Sequence, residues 1–165
     1  MGGTGPFPGK AGPVNNRVLY IDDDRQVRDV AARVLRASGF EVTTATGNDE
    51  ALDLLEKEAQ AFGVVVQDCQ RPLGRCLMDM GPSEGLNDLS GLFFLRRHVW
   101  RLNPEMPCIM VTMDSLRVLY RRDPGLMGNP LFHYLPKRGL AKALVEAVWD
   151  AGGQTQKGSG ILGRG

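Results

Sequence analysis

The sequence predicts an α/β fold with five parallel strands in one sheet and helices over both faces. Three observations carry this. Short, largely apolar runs recur at 17–21, 62–68 and 108–112, and such runs suit strands buried on both faces of a parallel sheet. Between them, apolar residues repeat at helical spacing, as in Val27, Val30, Ala31, Val34 and Leu35. Strand and helix patterns alternate along the whole chain, which calls for right-handed crossovers and a covered sheet. The expected fold is a doubly wound (βα)5 sheet of the flavodoxin-like kind, strand order 2-1-3-4-5, with an inserted loop after strand three.

Each element has its own justification. Residues 1–16 are rich in glycine and proline, without periodicity, and read as a flexible arm. Residues 17–21 form strand one, and the helix face that follows stops at Gly39. Residues 40–45 form strand two. Asn48 is a candidate N-cap for a second helix, with Asp49 and Glu50 suited to its first turn and Ala51, Leu52, Leu54, Leu55 and Ala59 on its face. Strand three carries three consecutive valines into Asp68, with Pro72 four residues on. Residues 73–89 are broken by Gly74, Gly81, Pro82 and Gly85 and read as an irregular insertion. Helix three runs from about Ser90 to Leu102 on a face of Leu92, Leu95, Val99 and Leu102, with Phe93, Phe94 and Trp100 beside it. Residues 108–112 form strand four, and a short helix from near Asp114 meets Pro124 and Pro130. Residues 132–137 form strand five, suited by its flanking prolines to an edge. Leu140, Ala141, Leu144, Val145, Val148 and Trp149 define a last helix, and 152–165 read as a flexible glycine-rich tail.

Composition narrows the function. The chain has 165 residues, 42% apolar and 24% charged, an ordinary single domain. A net charge of +1 gives no reason to expect a nucleic-acid or membrane partner. No apolar run approaches the roughly 20 residues of a membrane helix, and the first ten residues lack the order of a signal peptide. Cys69, Cys76 and Cys108 are odd in number with no C-x-x-C spacing, as expected of reduced thiols in a cytoplasmic protein. A metal site from Cys69, Cys76 and His98 or His133 lacks the spacing of a zinc knuckle.

The chemistry gathers at the strand ends. Asp22 and Asp23 follow strand one, Asp68 ends strand three, Thr112 ends strand four and Lys137 follows strand five. In a doubly wound sheet these ends share one edge, and ligands bind where the strand order reverses. Clustered carboxylates repel, so an oxygen-loving divalent cation is their natural neutraliser, and Mg²⁺ accepts a few carboxylates while keeping water. A carboxylate beside such a cation can attack a phosphoryl group. Lys137 and Thr112 would then hold phosphoryl oxygens, one by charge and one by hydrogen bonding.

In this order and on this fold, Asp22-Asp23, Asp68 with Pro72 in a D-x-x-x-P arrangement, Thr112, Tyr134 and Lys137 resemble the receiver domain of two-component response regulators, over about 17–151. The resemblance implies that a sensor histidine kinase or phosphotransfer protein phosphorylates Asp68. It implies that Asp22, Asp23, Asp68 and the backbone carbonyl of Gln70 arrange Mg²⁺, and that Lys137 contacts the aspartyl phosphate. Thr112 and Tyr134 would be a switch pair that repacks the face of helix four, strand five and helix five. Such a domain assists only its own phosphorylation and dephosphorylation and is not otherwise an enzyme. It implies a downstream target protein, or an output domain outside this sequence, and a homodimer as a candidate assembly.

The sequence departs from that pattern in three places. Residues 73–89 intervene before Ser90-Gly91, where the family closes the loop within a short turn; an insertion here would serve as a lid, a docking element or a dimer contact. Arg138 follows Lys137 where proline is common, which removes the usual reason for a cis peptide. Met113 follows Thr112 where a small residue is usual, which should narrow access and slow loss of the phosphoryl group. A degenerate receiver acting as a scaffold without phosphorylation is the alternative function. A Mg²⁺-dependent phosphohydrolase would need an acid near the nucleophile, and position 70 is Gln. Asp24 reads as a helix start and Arg28 as a helix-face residue near the acidic edge. Met110 and Met113 read as packing, and Arg117, Arg121 and Arg122 as a solvated basic face.

Overall fold

The computed structural model describes residues 15–80 and 86–159, with side chains to 152. Within them the chain forms one five-stranded sheet of order β2-β1-β3-β4-β5, and every pairing is parallel. The strands are β1 (Arg17–Ile21), β2 (Glu41–Ala45), β3 (Val64–Asp68), β4 (Cys108–Thr112) and β5 (Phe132–Pro136). The helices are α1 (Arg25–Ala37), α2 (Asn48–Glu58), α3 (the helical run 90–102), α4 (Leu116–Arg122) and α5 (Leu140–Ser159). The sheet has two core faces because side chains alternate along each strand. Leu19, Ile21, Val65, Cys108 and Met110 pack with α2, α3 and α4 on one side. Val18, Tyr20, Val64, Val66, Ile109 and Val111 pack with α1 and α5 on the other. β5 lies at an edge, as its prolines required.

Several local expectations are corrected. Val30 is exposed on α1, and Ala32 takes the buried position with Ala31 and Leu35. Phe40 is buried but precedes β2. Asn48 is not an N-cap: Gly47 holds that position, and Asn48 is a buried first residue of α2. α3 contains a π turn over Leu95–Val99 between Ser90–Phe94 and Trp100–Leu102. Leu92, Leu95 and Val99 are buried as expected, Phe94 is fully buried beside them, and Leu102, beyond the turn, is only partly buried. α5 runs past Gly152 to Ser159. Glycine weakens a helix by about 1 kcal/mol per residue but does not stop one, and Ala151 and Gly152 are both buried. Tail residues 160–165 and arm residues 1–14 lie outside the described residues. Asn15 and Asn16 are not free: Asn15 donates to the Ala61 carbonyl and Asn16 to that of Gly39 at 3.2 Å.

The insertion has structure of its own. Residues Arg75–Met80 form 3₁₀ turns with Leu77 fully buried, and Asn87–Leu89 forms another; 81–85 lie outside the described residues. The Asp49 carboxylate accepts from the Arg75 and Cys76 amides, each at 2.9 Å. Arg97, in the π turn, pairs with Asp79, and the His98 ring meets the Cys76 carbonyl at 3.2 Å. This segment is docked on α2 and α3.

Candidate functional site

β1 and β3 are neighbours whose following connections leave toward opposite faces, so their C-terminal ends flank the point where strand order reverses. Asp22 and Asp23 follow β1, Asp68 closes β3, and carboxylate oxygens of all three lie within 4.8 Å of one another. Lys137, after β5, brings its Nζ to 3.2 Å from Asp68 Oδ2 and 3.8 Å from Asp22 Oδ2. The three carboxylates and the lysine singled out for phosphoryl chemistry are therefore assembled, and Thr112 is buried at the end of β4. The 137–138 peptide is trans, as are all the described peptides.

The electrostatics follow from burial. Asp22 is fully buried; its Oδ1 accepts from the Asp24 amide at 2.9 Å, whereas Oδ2 is buried with no hydrogen-bond partner. Desolvation, reinforced by the Asp68 charge, pushes its pKa up to about 6, against the pull of the Asp24 amide and Lys137. Burial also raises Asp68, opposed by Lys137. Lys137 is raised because the Asp68 and Asp22 charges outweigh its own desolvation. An orphaned buried oxygen among three carboxylates fits a hard divalent cation, which would take that oxygen as a ligand and offset the repulsion. Among the described residues no other cluster has such a donor set.

The neighbouring residues are tied into this edge. Asp24 caps α1 by accepting from the Gln26 and Val27 amides. Arg28 donates to the Asp22 carbonyl at 2.8 Å rather than standing in solvent. Gln70 donates its amide to Asp68 Oδ1 at 3.4 Å and its side chain to Asp114 Oδ2 at 3.1 Å. Asp114 in turn donates its amide to Thr112 Oγ1 at 3.0 Å and accepts Tyr134 OH on its carbonyl at 2.9 Å. Both residues of the expected switch pair thus meet one loop residue, which also meets Gln70 after β3. Met110 is buried but Met113 is 57% exposed, so the two do not pack as a pair. Arg117, Arg121 and Arg122 are exposed as expected, although Arg122 also lies over the Phe93 ring. The cysteines are unpaired, and burial pushes each thiol up to about 12, which favours the protonated form.

Sequence reasoning missed the residues beneath Asp68. Arg71 is buried. Its Nε donates to Asn48 Oδ1 and its Nη2 to Gln67 Oε1, both at 2.7 Å, and its Nη1 donates to the Asp68 carbonyl. Asn48 Nδ2 reaches the Leu73 carbonyl at 2.9 Å and Ser90 Oγ at 2.8 Å. Ser90-Gly91 returns to the end of β3 despite the insertion: the Gly91 amide donates to the Cys69 carbonyl at 2.9 Å. A Cβ at Gly91 would stand 2.7 Å from the Asp68 carbonyl oxygen, so only glycine admits this approach. The available signal was Gln67, a polar residue in a run too apolar to leave it unpartnered.

Comparison with known proteins agrees with this geometry. No protein-family model matches the chain. Two-component response regulator ARR2 of Arabidopsis thaliana is 31% identical over 121 residues, 68% of this chain and 16% of that protein. Two-component response regulator ORR26 of Oryza sativa subsp. japonica is 31% identical over 103 residues, 62% of this chain and 15% of that protein. The chain thus spans about one sixth of the length of these curated relatives. Among solved structures, a response regulator receiver domain protein from Clostridium thermocellum aligns with a TM-score of 0.66 at 24% identity, covering 86% of this chain and 97% of that one. A CheY-like receiver domain protein from Methanospirillum hungatei gives 0.61 at 23%, covering 87% and 98%. The sequence relatives are two-component response regulators, and the fold is that of their receiver domains.

Proposed function

We propose that this chain, related in sequence to two-component response regulators and folded as their receiver domains are, accepts a phosphoryl group on Asp68 and switches partner binding. The observation that carries the reading is the Asp68 carboxylate at the C-terminal end of β3, with Lys137 Nζ on Oδ2 at 3.2 Å and two further carboxylates within 4.8 Å. The donor is the phosphohistidine of a sensor kinase or phosphotransfer protein. An Asp68 oxygen attacks phosphorus, the P–N bond breaks, and its electron pair returns to the imidazole, leaving an aspartyl phosphate. Lys137, held between Asp22 and Asp68, stabilises the anion formed.

Asp22, Asp23, Asp68 and the Gln70 carbonyl would hold Mg²⁺, which when bound screens the repulsion between carboxylate and phosphoryl group. The readout passes through the β4–α4 loop. Thr112 gives up the Asp114 amide to meet the phosphoryl group, and Tyr134, released from the Asp114 carbonyl, turns inward. This repacks the face of α4, β5 and α5 toward a downstream protein or an output domain. The scaffold alternative finds no support in a site where all three carboxylates and the lysine are assembled. No described helix is long and apolar enough to cross a membrane.

The test is intact mass before and after acetyl phosphate with Mg²⁺, on wild type and Asp68→Asn. One phosphoryl group, gained only with Mg²⁺ and absent in the variant, is the expected result. No gain in the wild type, with acetyl phosphate or with a phosphorylated kinase, would overturn the reading.

A further inference from the structure

A buried arginine is ordinarily held by a carboxylate, yet the three described hydrogen-bond acceptors of Arg71 are all uncharged: the Asn48 amide oxygen, the Gln67 amide oxygen and the Asp68 carbonyl. The guanidinium also lies 5.4 Å over the ring of Phe94, which is fully buried. These partners come from three elements: the start of α2, the end of β3 and α3. The same node holds the insertion. Asn48 donates to the Leu73 carbonyl, and the Arg71 amide donates to the Asn87 carbonyl at 3.1 Å, so both ends of the inserted segment are fixed to it.

We propose that Arg71 is a positioning residue, which fixes the Asp68 backbone from beneath and couples the inserted segment to the phosphoacceptor. The inference rests on the phosphoacceptor reading for its effect on rate, while the coupling stands on geometry alone. Arg71 acts through the Asp68 carbonyl. Its planar fork gives three directed bonds, and removing it leaves three buried acceptors unpaired. The inserted segment is then a brace rather than a lid, because its Leu73 end is bonded to Asn48, its Asn87 end to the Arg71 amide, and residues 75–79 to α2 and α3.

Phosphorylation rates and amide exchange test this. Arg71→Met, studied well below its melting temperature and at saturating Mg²⁺, should be phosphorylated about 10- to 100-fold more slowly, the scale expected for a reacting group displaced by about 1 Å. A merely structural role would lower the melting temperature and leave the rate of the folded protein unchanged. Arg71→Lys keeps the charge but loses the fork, so its rate should fall as well. A lysine variant at the wild-type rate would show that charge alone acts and overturn the positioning role. Should Arg71→Met fail to fold, Asn48→Ala serves in its place, since it removes one acceptor and the tie to Leu73. Asn48→Ala should speed hydrogen exchange at the Arg71 and Cys76 amides together, which requires no phosphoryl chemistry. Faster exchange at one alone, or at neither, would sink the coupling. A wild type that gains no phosphoryl group would refute the functional reading and leave this exchange result to decide the brace.

Discussion

Asp22 should be a liability to the protein without a cation. Its pKa in the folded state is pushed to about 6 from an ordinary 3.8, a difference of about two units, or on the order of 3 kcal/mol at neutral pH. The sign follows from proton binding. Between the two values the folded protein holds the proton more tightly than the unfolded chain does. Stability is therefore favoured by acid below 3.8, falls as pH rises toward 6, and is flat above it. Asp22→Asn removes the buried charge, keeps an oxygen for the Asp24 amide and puts an N–H where Oδ2 has no partner. It forfeits the attraction to Lys137, so the gain should be about 1–3 kcal/mol, or roughly 3–9 °C in Tm for a domain of this size. Thermal unfolding with EDTA at neutral pH measures it, repeated near pH 5, where the gain should shrink, and with excess Mg²⁺, where the wild type should rise and the variant should not. A variant that melts at or below wild type in EDTA at neutral pH would refute the reasoning.

Three other outcomes follow from single contacts. Gly91→Ala sets a methyl group 2.7 Å from the Asp68 carbonyl oxygen; overpacking against backbone should cost about 1–3 kcal/mol by denaturant unfolding and slow phosphorylation. Met113→Ala, which trims the exposed side chain following Thr112, should speed loss of the phosphoryl group by up to about tenfold, or ~1.4 kcal/mol of barrier, read by intact mass over time. Asp49→Ala removes the acceptor of the Arg75 and Cys76 amides, should cost about 1 kcal/mol, and should speed exchange at both amides with β1 and β4 unchanged.

How much could be read from residues alone depends on whether the cause was local. β1, β3 and β4 were legible because burial on both faces demands unbroken apolar runs, and the alternation of strands with helices implied a parallel sheet covered on both faces. The acidic pair, Asp68, Thr112 and Lys137 were legible because each ends or follows a strand. Most of the α3 face was legible too, with Leu92, Leu95 and Val99 buried, but composition carries no sign of the π turn or of the burial of Phe94. The end of α5 was misread because Gly152 and Gly153 weaken a helix without ending it when the neighbouring turn is buried. Asn48 looked like a cap because its spacing suited one, and its partners, Leu73, Ser90 and Arg71, are distant in sequence.

The insertion shows why a long interruption leaves the site intact. Loop-closure entropy grows only logarithmically with length, so added residues cost little if the closing contacts survive. Here they do: Gly91 reaches the Cys69 carbonyl, and Ser90 reaches Asn48. The residues at the junction carry the consequence. Arg71 and Asn48 supply directed bonds at the point where a continuous chain would have turned back within a few residues. The loop after β3 is thus held by a side chain where a short turn would have held it by backbone geometry, and under the proposed coupling its placement should respond to changes at α2 and at 73–89, both outside the carboxylate cluster.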